Sequence, residues 1–128
     1  MCGIPKIFWF GDAQNIFKNS NKLHNVLVME FLGNDLDTLF KKQRRFFSLK
    51  TVLMLAEQLL TRVEYLHKMN YIHQDIKPEN ILIDDEMNLK LIDFGYAADK
   101  NINELNYSCG TQSYMAPEIL EEEIYNGT

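Results

Sequence analysis

Cysteine is scarce in this 128-residue chain, with Cys2 and Cys109 its only two. Two thiols exclude the disulfide framework of small secreted domains, and free thiols in a reducing compartment are the expectation. Long apolar runs are missing too. None approaches the roughly 20 consecutive residues that span a bilayer, so no membrane partner is expected. Met1–Phe10 holds a lysine and a proline and has no small-residue cleavage site after an apolar run, unlike a secretory signal. The expected location is intracellular, in the cytoplasm or nucleus. Positive charge is not in excess: 13 Lys and Arg stand against 18 Asp and Glu, a net charge of -5. That removes the electrostatic reason to expect nucleic acid. The six glycines are dispersed, so no glycine-rich phosphate cradle exists, and no valine-alanine-isoleucine-lysine run appears. What is present, 46% hydrophobic and 24% charged residues, is the composition of a folded domain. The length suits at most one, with no repeats or linkers.

Ile7-Phe8-Trp9-Phe10 predicts a strand ending at Gly11, and the asparagine-rich stretch 12–25 predicts a loop or ragged hairpin connection tacked down by Ile16 and Phe17. Val26–Met29 has a buried-strand pattern. Gly33-Asn34-Asp35 breaks it, and Asn34 or Asp35 is placed to cap a short helix over Leu36–Lys42. Ser48 is the expected N-cap of a helix reaching about Met69. There Val52, Leu55, Ala56, Leu59, Val63 and Leu66 recur at helical spacing, and Leu53 and Leu60 widen the stripe. The wide stripe predicts a helix buried on more than one side inside a larger domain. Ile81–Ile83 and Leu89–Ile92 predict two brief strands around the turn 84–88. The polar stretch 97–110 predicts a mobile loop, and Pro117–Glu123 a short helical start.

Three polar motifs punctuate this pattern: His73-Gln74-Asp75-Ile76-Lys77-Pro78-Glu79-Asn80, then Asp93-Phe94-Gly95, then Ala116-Pro117-Glu118. Asp75 and Asn80 leave one loop, and Asp93 follows two apolar runs. Two carboxylates and an amide are hard oxygen ligands that can hold a metal ion. A solvated turn explains Asp84, Asp85 and Glu86 without any metal. Cys109 has no basic partner in the pattern, so a nucleophilic role is not expected. His24 and His67 are expected at the surface.

Each motif matches a protein-kinase signature, and their order is the right one. The chain resembles the eukaryotic protein kinase superfamily, serine/threonine type. Over residues 3–80 it is most similar to casein kinase 1, through Gly3-Ile4-Pro5, Asn25–Met29, Leu32-Gly33, Lys50–Ala56, Glu64–His67 and Tyr71-Ile72-His73. Two segments depart from that family: Ala116-Pro117-Glu118, and Cys109–Met115, which is more like general serine/threonine kinases. The resemblance implies an α+β, protein-kinase-like fold in partial form, with the end of the small β lobe, the hinge and the first half of the helical large lobe. Residues 1–32 would be small-lobe strands and hinge, and 33–128 a partial large lobe with catalytic loop and activation segment.

By the same resemblance Asp75 is the catalytic-loop base and Lys77 contacts the transferred phosphate. Asn80 and Asp93 hold Mg2+ on the phosphates of ATP, and Thr111 positions the substrate hydroxyl. Met29 is the residue behind the adenine, Glu30-Phe31-Leu32 the hinge, Leu32 the backbone partner of the base and Leu82 the floor beneath it. Asp35 serves either the ribose or the helix cap. His73 is implied to be structural. Gln74 replaces an arginine that, in most such kinases, holds an activation-loop phosphate. The implied function is ATP-dependent transfer of the γ-phosphate to serine or threonine hydroxyls of a protein substrate. The alternative is a catalytically inactive, kinase-derived binding or regulatory fragment. Without the lysine and glutamate that hold the α- and β-phosphates, the 128-residue chain alone is expected to be inactive. It is also expected to be marginally stable, aggregation-prone or dependent on a partner that covers apolar large-lobe surface.

Overall fold

Aromatic residues with no helical period open the chain as an extended segment, β1 (Ile7–Gln14), paired antiparallel with β2 (Leu23–Met29). The computed structural model describes residues 3–14, 23–101 and 109–121. β1 does not stop at Gly11 as the sequence predicts. Cross-strand pairs Gly11↔Val26 and Asp12↔Asn25 carry the ladder on to Gln14↔Leu23, and pairing overrides the weak strand preference of glycine and aspartate. The connection is correspondingly shorter, and Ile16 and Phe17 lie outside the described residues. β2 is not buried as expected: Leu27 and Val28 are 49% and 44% exposed, because a two-stranded ladder covers little of itself.

Asp35 starts α1 (Leu36–Lys42), its carboxylate accepting from the Thr38 amide at 2.7 Å. Ser48 starts α2 (Leu49–Lys68), its hydroxyl accepting from the Thr51 amide at 3.1 Å. These bonds satisfy donors that a helix start otherwise leaves orphaned. α2 ends at Met69, and Asn70 follows in the left-handed conformation (φ 63°) that asparagine tolerates at helix ends.

β3 (Tyr71–Ile72) leads to the loop 73–80, after which β4 (Ile81–Ile83) and β5 (Leu89–Leu91) form an antiparallel hairpin. Its register, Ile81↔Leu91 and Ile83↔Leu89, places those four side chains on one buried face. Leu82↔Lys90 therefore project from the other. The four join Leu66 of α2 in the core, with Leu55, Leu59 and Val63 packed against it. The Asp84 carboxylate accepts from the Glu86 and Asn88 amides, so the acidic turn is structural. Polar side chains of α2 finish the edge of β5. The Gln58 amide oxygen accepts from the Leu89 amide at 3.0 Å, and the Arg62 side chain donates to the Leu89 carbonyl at 3.3 Å.

Only one side of α2 is covered by described residues. Leu53 and Leu60, which widen the apolar stripe, are 60% and 70% exposed. The stretch 97–110 also differs from a plain loop. It opens with β6 (Ala98–Asp99), paired to β3 through Tyr71↔Asp99 and Ile72↔Ala98. Residues 102–108 lie outside the described residues. α3 (Pro117–Leu120) begins at the expected proline. The described helices and small antiparallel sheets make up part of an α+β, kinase-like fold. Among the described residues no helix is long and apolar enough to cross a membrane.

Candidate active site

β3 delivers the chain to His73, which is buried and serves as a strut. Its Nε2 bonds to the Ile92 carbonyl at 2.9 Å, and its Nδ1 accepts from the Asp75 amide at 3.3 Å. The ring also lies 4.9 Å from that of Phe94. One histidine thus ties the loop of Asp75 to the segment of Asp93. Gln74 between them has φ 62°, and Asp93 has φ 62° as well. Left-handed backbone at non-glycine residues costs about 1 kcal/mol or more and is retained where surrounding structure holds it. Here the two strained positions flank the candidate site.

Asp75 is 4% exposed and is the hub of a closed ring. Thr111 Oγ1 donates to its Oδ1 at 2.8 Å, Lys77 Nζ meets its Oδ2 at 2.7 Å, and Lys77 Nζ donates to Thr111 Oγ1 at 2.8 Å. Pro78–Asn80 turn as a 3-10 helix, which brings Asn80 back onto the aspartate. Asn80 Nδ2 donates to the Asp75 carbonyl at 2.9 Å and to Asp75 Oδ2 at 3.0 Å. With the nitrogen so committed, the amide oxygen is the atom left to face a cation. Burial pushes the Asp75 carboxyl up, but bonds from Lys77, Thr111 and Asn80 outweigh it and hold it below the usual carboxylate range. The bond to Asp75 in turn holds the Lys77 ammonium above the ordinary lysine value.

Thr111 reaches this ring because Gly110 precedes it. Gly110 has φ 108°, and a Cβ there would lie 2.5 Å from the Gln74 carbonyl oxygen. Only glycine fits both the backbone conformation and the close approach. Asp93 is linked to Asn80 through its neighbour, since the Ile92 amide donates to the Asn80 carbonyl at 3.0 Å. Its carboxylate accepts from the Gly95 amide at 3.4 Å. Cys109 is half-buried nearby, and burial followed by the charge of Asp75 pushes its thiol up. That is the opposite of what a nucleophilic cysteine requires.

The second group of predicted residues lies along the end of β2 and the segment after it. The Gly33 amide donates to the Ile83 carbonyl at 2.9 Å, and the Ile83 amide donates to the Asn34 carbonyl at 3.2 Å. A Cβ on Gly33 would sit 2.6 Å from the Ile83 oxygen, so this approach also needs glycine. Asp35 makes a bridge with Leu82. Its two carboxylate oxygens are taken by the Thr38 amide and hydroxyl, both at 2.7 Å. The helix cap is thus the contact seen for Asp35. Met29 and Leu32 are half-buried. The sequence alone missed what Glu30 does: its carboxylate meets Lys90 Nζ at 2.8 Å and the Lys6 amide at 2.9 Å. Alternation in β5 was the available signal, because Lys90 must share a face with Leu82.

Residues 12–128 match the family described as protein kinase domain. The chain belongs to that family. Membership gives the kinase domain a general dependence on a nucleotide cofactor and a protein as substrate partner. It also gives the ring around Asp75, the His73 strut and the Gly33 approach a common setting.

Among the described residues, four carboxyls of this kinase domain sit below their ordinary values. Asp75 is one. For Asp35 and Asp84, burial pushes up and is outweighed by bonds from Thr38 and Asn88 respectively, whereas the Lys90 bond and then the Lys6 amide lower Glu30. A lowered folded pKa contributes stability that is present above the unfolded value and lost as pH falls through the folded one. Stability is therefore expected to be flat near neutrality and to fall below about pH 4. Urea titrations from pH 7 to 3 check this. A midpoint that rises as pH drops below 4 contradicts it.

Proposed function

We propose that this kinase domain transfers the γ-phosphate of ATP to serine and threonine hydroxyls of a protein substrate, with Mg2+, in the manner of casein kinase 1-like enzymes. Residues 1–32 then supply small-lobe strands and hinge, and 33–128 a partial large lobe. The observation that carries the reading is the closed ring of Asp75, Lys77 and Thr111. It joins a carboxylate, a cation and a hydroxyl from two segments more than thirty residues apart.

The donor set fits magnesium. Among the described residues no three His, Cys, Asp or Glu side chains gather into a metal cage. Asn80 and Asp93 would hold the ion through oxygen, and phosphates and water would complete the coordination that Mg2+ prefers. When bound, the ion neutralises phosphate charge and orients the transferred group. Asp75, ionised at neutral pH, accepts the substrate hydroxyl through the second lone pair of Oδ1 and takes its proton as the new oxygen–phosphorus bond forms. The bond from phosphorus to the bridging oxygen breaks and ADP leaves. Lys77 remains cationic and offsets charge on the phosphoryl oxygens. Thr111 fixes the Asp75 carboxylate and lies where a serine or threonine would enter. Met29, Glu30, Leu32 and Leu82 would border the adenine, with Asp35 at the ribose end.

Peptides identical except for Ser, Thr or Tyr at the acceptor position test this, assayed with ATP and Mg2+. The expected order places Ser and Thr well above Tyr, with acidic or pre-phosphorylated flanks preferred. A tyrosine preference would remove the serine/threonine reading. A different observation favours a second reading, an inactive binding or regulatory fragment: Leu49, Leu53 and Leu60 of α2 are all exposed, a surface that suits a protein partner. Neither β1 nor β2 carries a lysine to hold phosphates. Kinase-like turnover by the purified 128-residue chain would sink that second reading.

A further inference from the structure

Glu30 and Lys90 are 60 residues apart in sequence, yet they form an ion pair at 2.8 Å that is mostly shielded from solvent. Each anchors something distinct. Glu30 directly follows β2, and its amide donates to the Lys6 carbonyl at 2.8 Å while its carboxylate takes the Lys6 amide at 2.9 Å. Lys90 stands on the face of the β4–β5 hairpin that also carries Leu82. A second carboxylate, Asp84, lies 3.9 Å from the ammonium. Residues 3–6 are held to the same hairpin, since the Leu91 amide donates to the Gly3 carbonyl at 2.7 Å. Three chain segments thus meet at one buried-edge pair: the lead into β1, the end of β2, and the hairpin.

The position matters because the main-chain bonds between the post-β2 segment and β4 begin only at Gly33. Residues 30–32 have no such backbone bond to the hairpin among those described, and the Glu30–Lys90 pair is their attachment. We propose that this pair is a clamp that sets the spacing between the segment 30–32 and Leu82, and that Lys90 is thereby a positioning residue for the nucleotide. The inference rests on the assignment of that segment and Leu82 to the two walls of the adenine site. Holding the walls at their bound separation lowers the ordering cost of binding. A lysine touching no nucleotide then sets affinity without touching the reacting atoms.

Two measurements on the same protein separate the clamp from the nucleotide site. Amide hydrogen exchange is followed over peptides covering 6–10, 26–33 and 49–68. Affinity for ADP with Mg2+ is measured by titration. Lys90→Gln is expected to speed exchange in 6–10 and 26–33, leave 49–68 unchanged, and weaken ADP binding by about threefold to tenfold. Lys90→Arg is expected to restore both, and 0.5 M salt to narrow the difference between Lys90→Gln and the unaltered protein. Unchanged exchange in 26–33 overturns the clamp. Faster exchange with unchanged affinity overturns the positioning role. If the unaltered protein binds no ADP while Lys90→Gln still speeds exchange, the adenine-site assignment fails and the clamp stands.

Discussion

Asp75→Asn is expected to lower kcat for peptide phosphorylation by about 10²- to 10⁴-fold, the range of positioned acid–base groups, with nucleotide affinity little changed. Asp93→Asn is expected to bring turnover to background and to weaken Mg2+-nucleotide binding more than about tenfold. Both apply to a catalytically competent domain carrying these residues. The contrast follows from where the two carboxylates sit. Asp75 is enclosed by Lys77, Thr111 and Asn80, so its free acceptor capacity points to one incoming hydroxyl. Asp93 is exposed and, among the described residues, accepts a long bond from Gly95, which leaves its oxygens open to the proposed ion. The side-chain carboxamide introduced by Asp75→Asn would also set a donor against Lys77 or Thr111. An accompanying stability loss of about 1–3 kcal/mol is expected, and a thermal scan separates it from the kinetic effect. Peptide kinetics with nucleotide titration check both variants. Near-normal turnover in Asp93→Asn would remove the metal assignment, and lost ADP binding in Asp75→Asn would move that residue out of a purely chemical role.

Helix caps and the β4–β5 turn were legible because they are local. Ser48, Asp35 and the 84–88 turn depend on bonds spanning two to four residues, which sequence spacing encodes directly. The ring around Asp75 was legible in membership but not in connection. Asp75, Lys77 and Asn80 share a loop, yet the bond to Thr111 requires the backbone of Gly110 to rest against Gln74. No local pattern states that contact. Strand lengths were misread where pairing set them. Gly11 and Asp12 are poor strand residues held in β1 by Val26 and Asn25, and Ala98–Asp99 extend only because Tyr71–Ile72 lie alongside. How far α2 is covered was not legible for a related reason. Periodicity shows which residues are apolar on which side, and says nothing of whether another element arrives to cover them. Glu30 was assigned by its place beside Met29, whereas its carboxylate chemistry depended on a lysine 60 residues away.

The same division of α2 yields the other large effect, on stability. Leu91 is 0% exposed and sits where β5, α2 and the segment from Gly3 converge. Leu91→Ala removes buried volume that its neighbours cannot easily refill, at a cost of about 2–5 kcal/mol. Native domains are held by only about 5–15 kcal/mol in total, and the buried apolar core here is Leu66, Ile81, Ile83, Leu89 and Leu91 among the described residues. Leu91→Ala is therefore expected to abolish a cooperative urea transition in the purified chain or to move its midpoint to the lowest measurable concentrations. Leu60→Ala, on the exposed side of the same helix, is expected to shift the midpoint by less than about 0.5 kcal/mol and to reduce self-association by removing apolar surface. Urea titration with light scattering reads both variants. If Leu60→Ala costs as much as Leu91→Ala, that side of α2 is covered in solution, and the chain works as an assembly rather than alone.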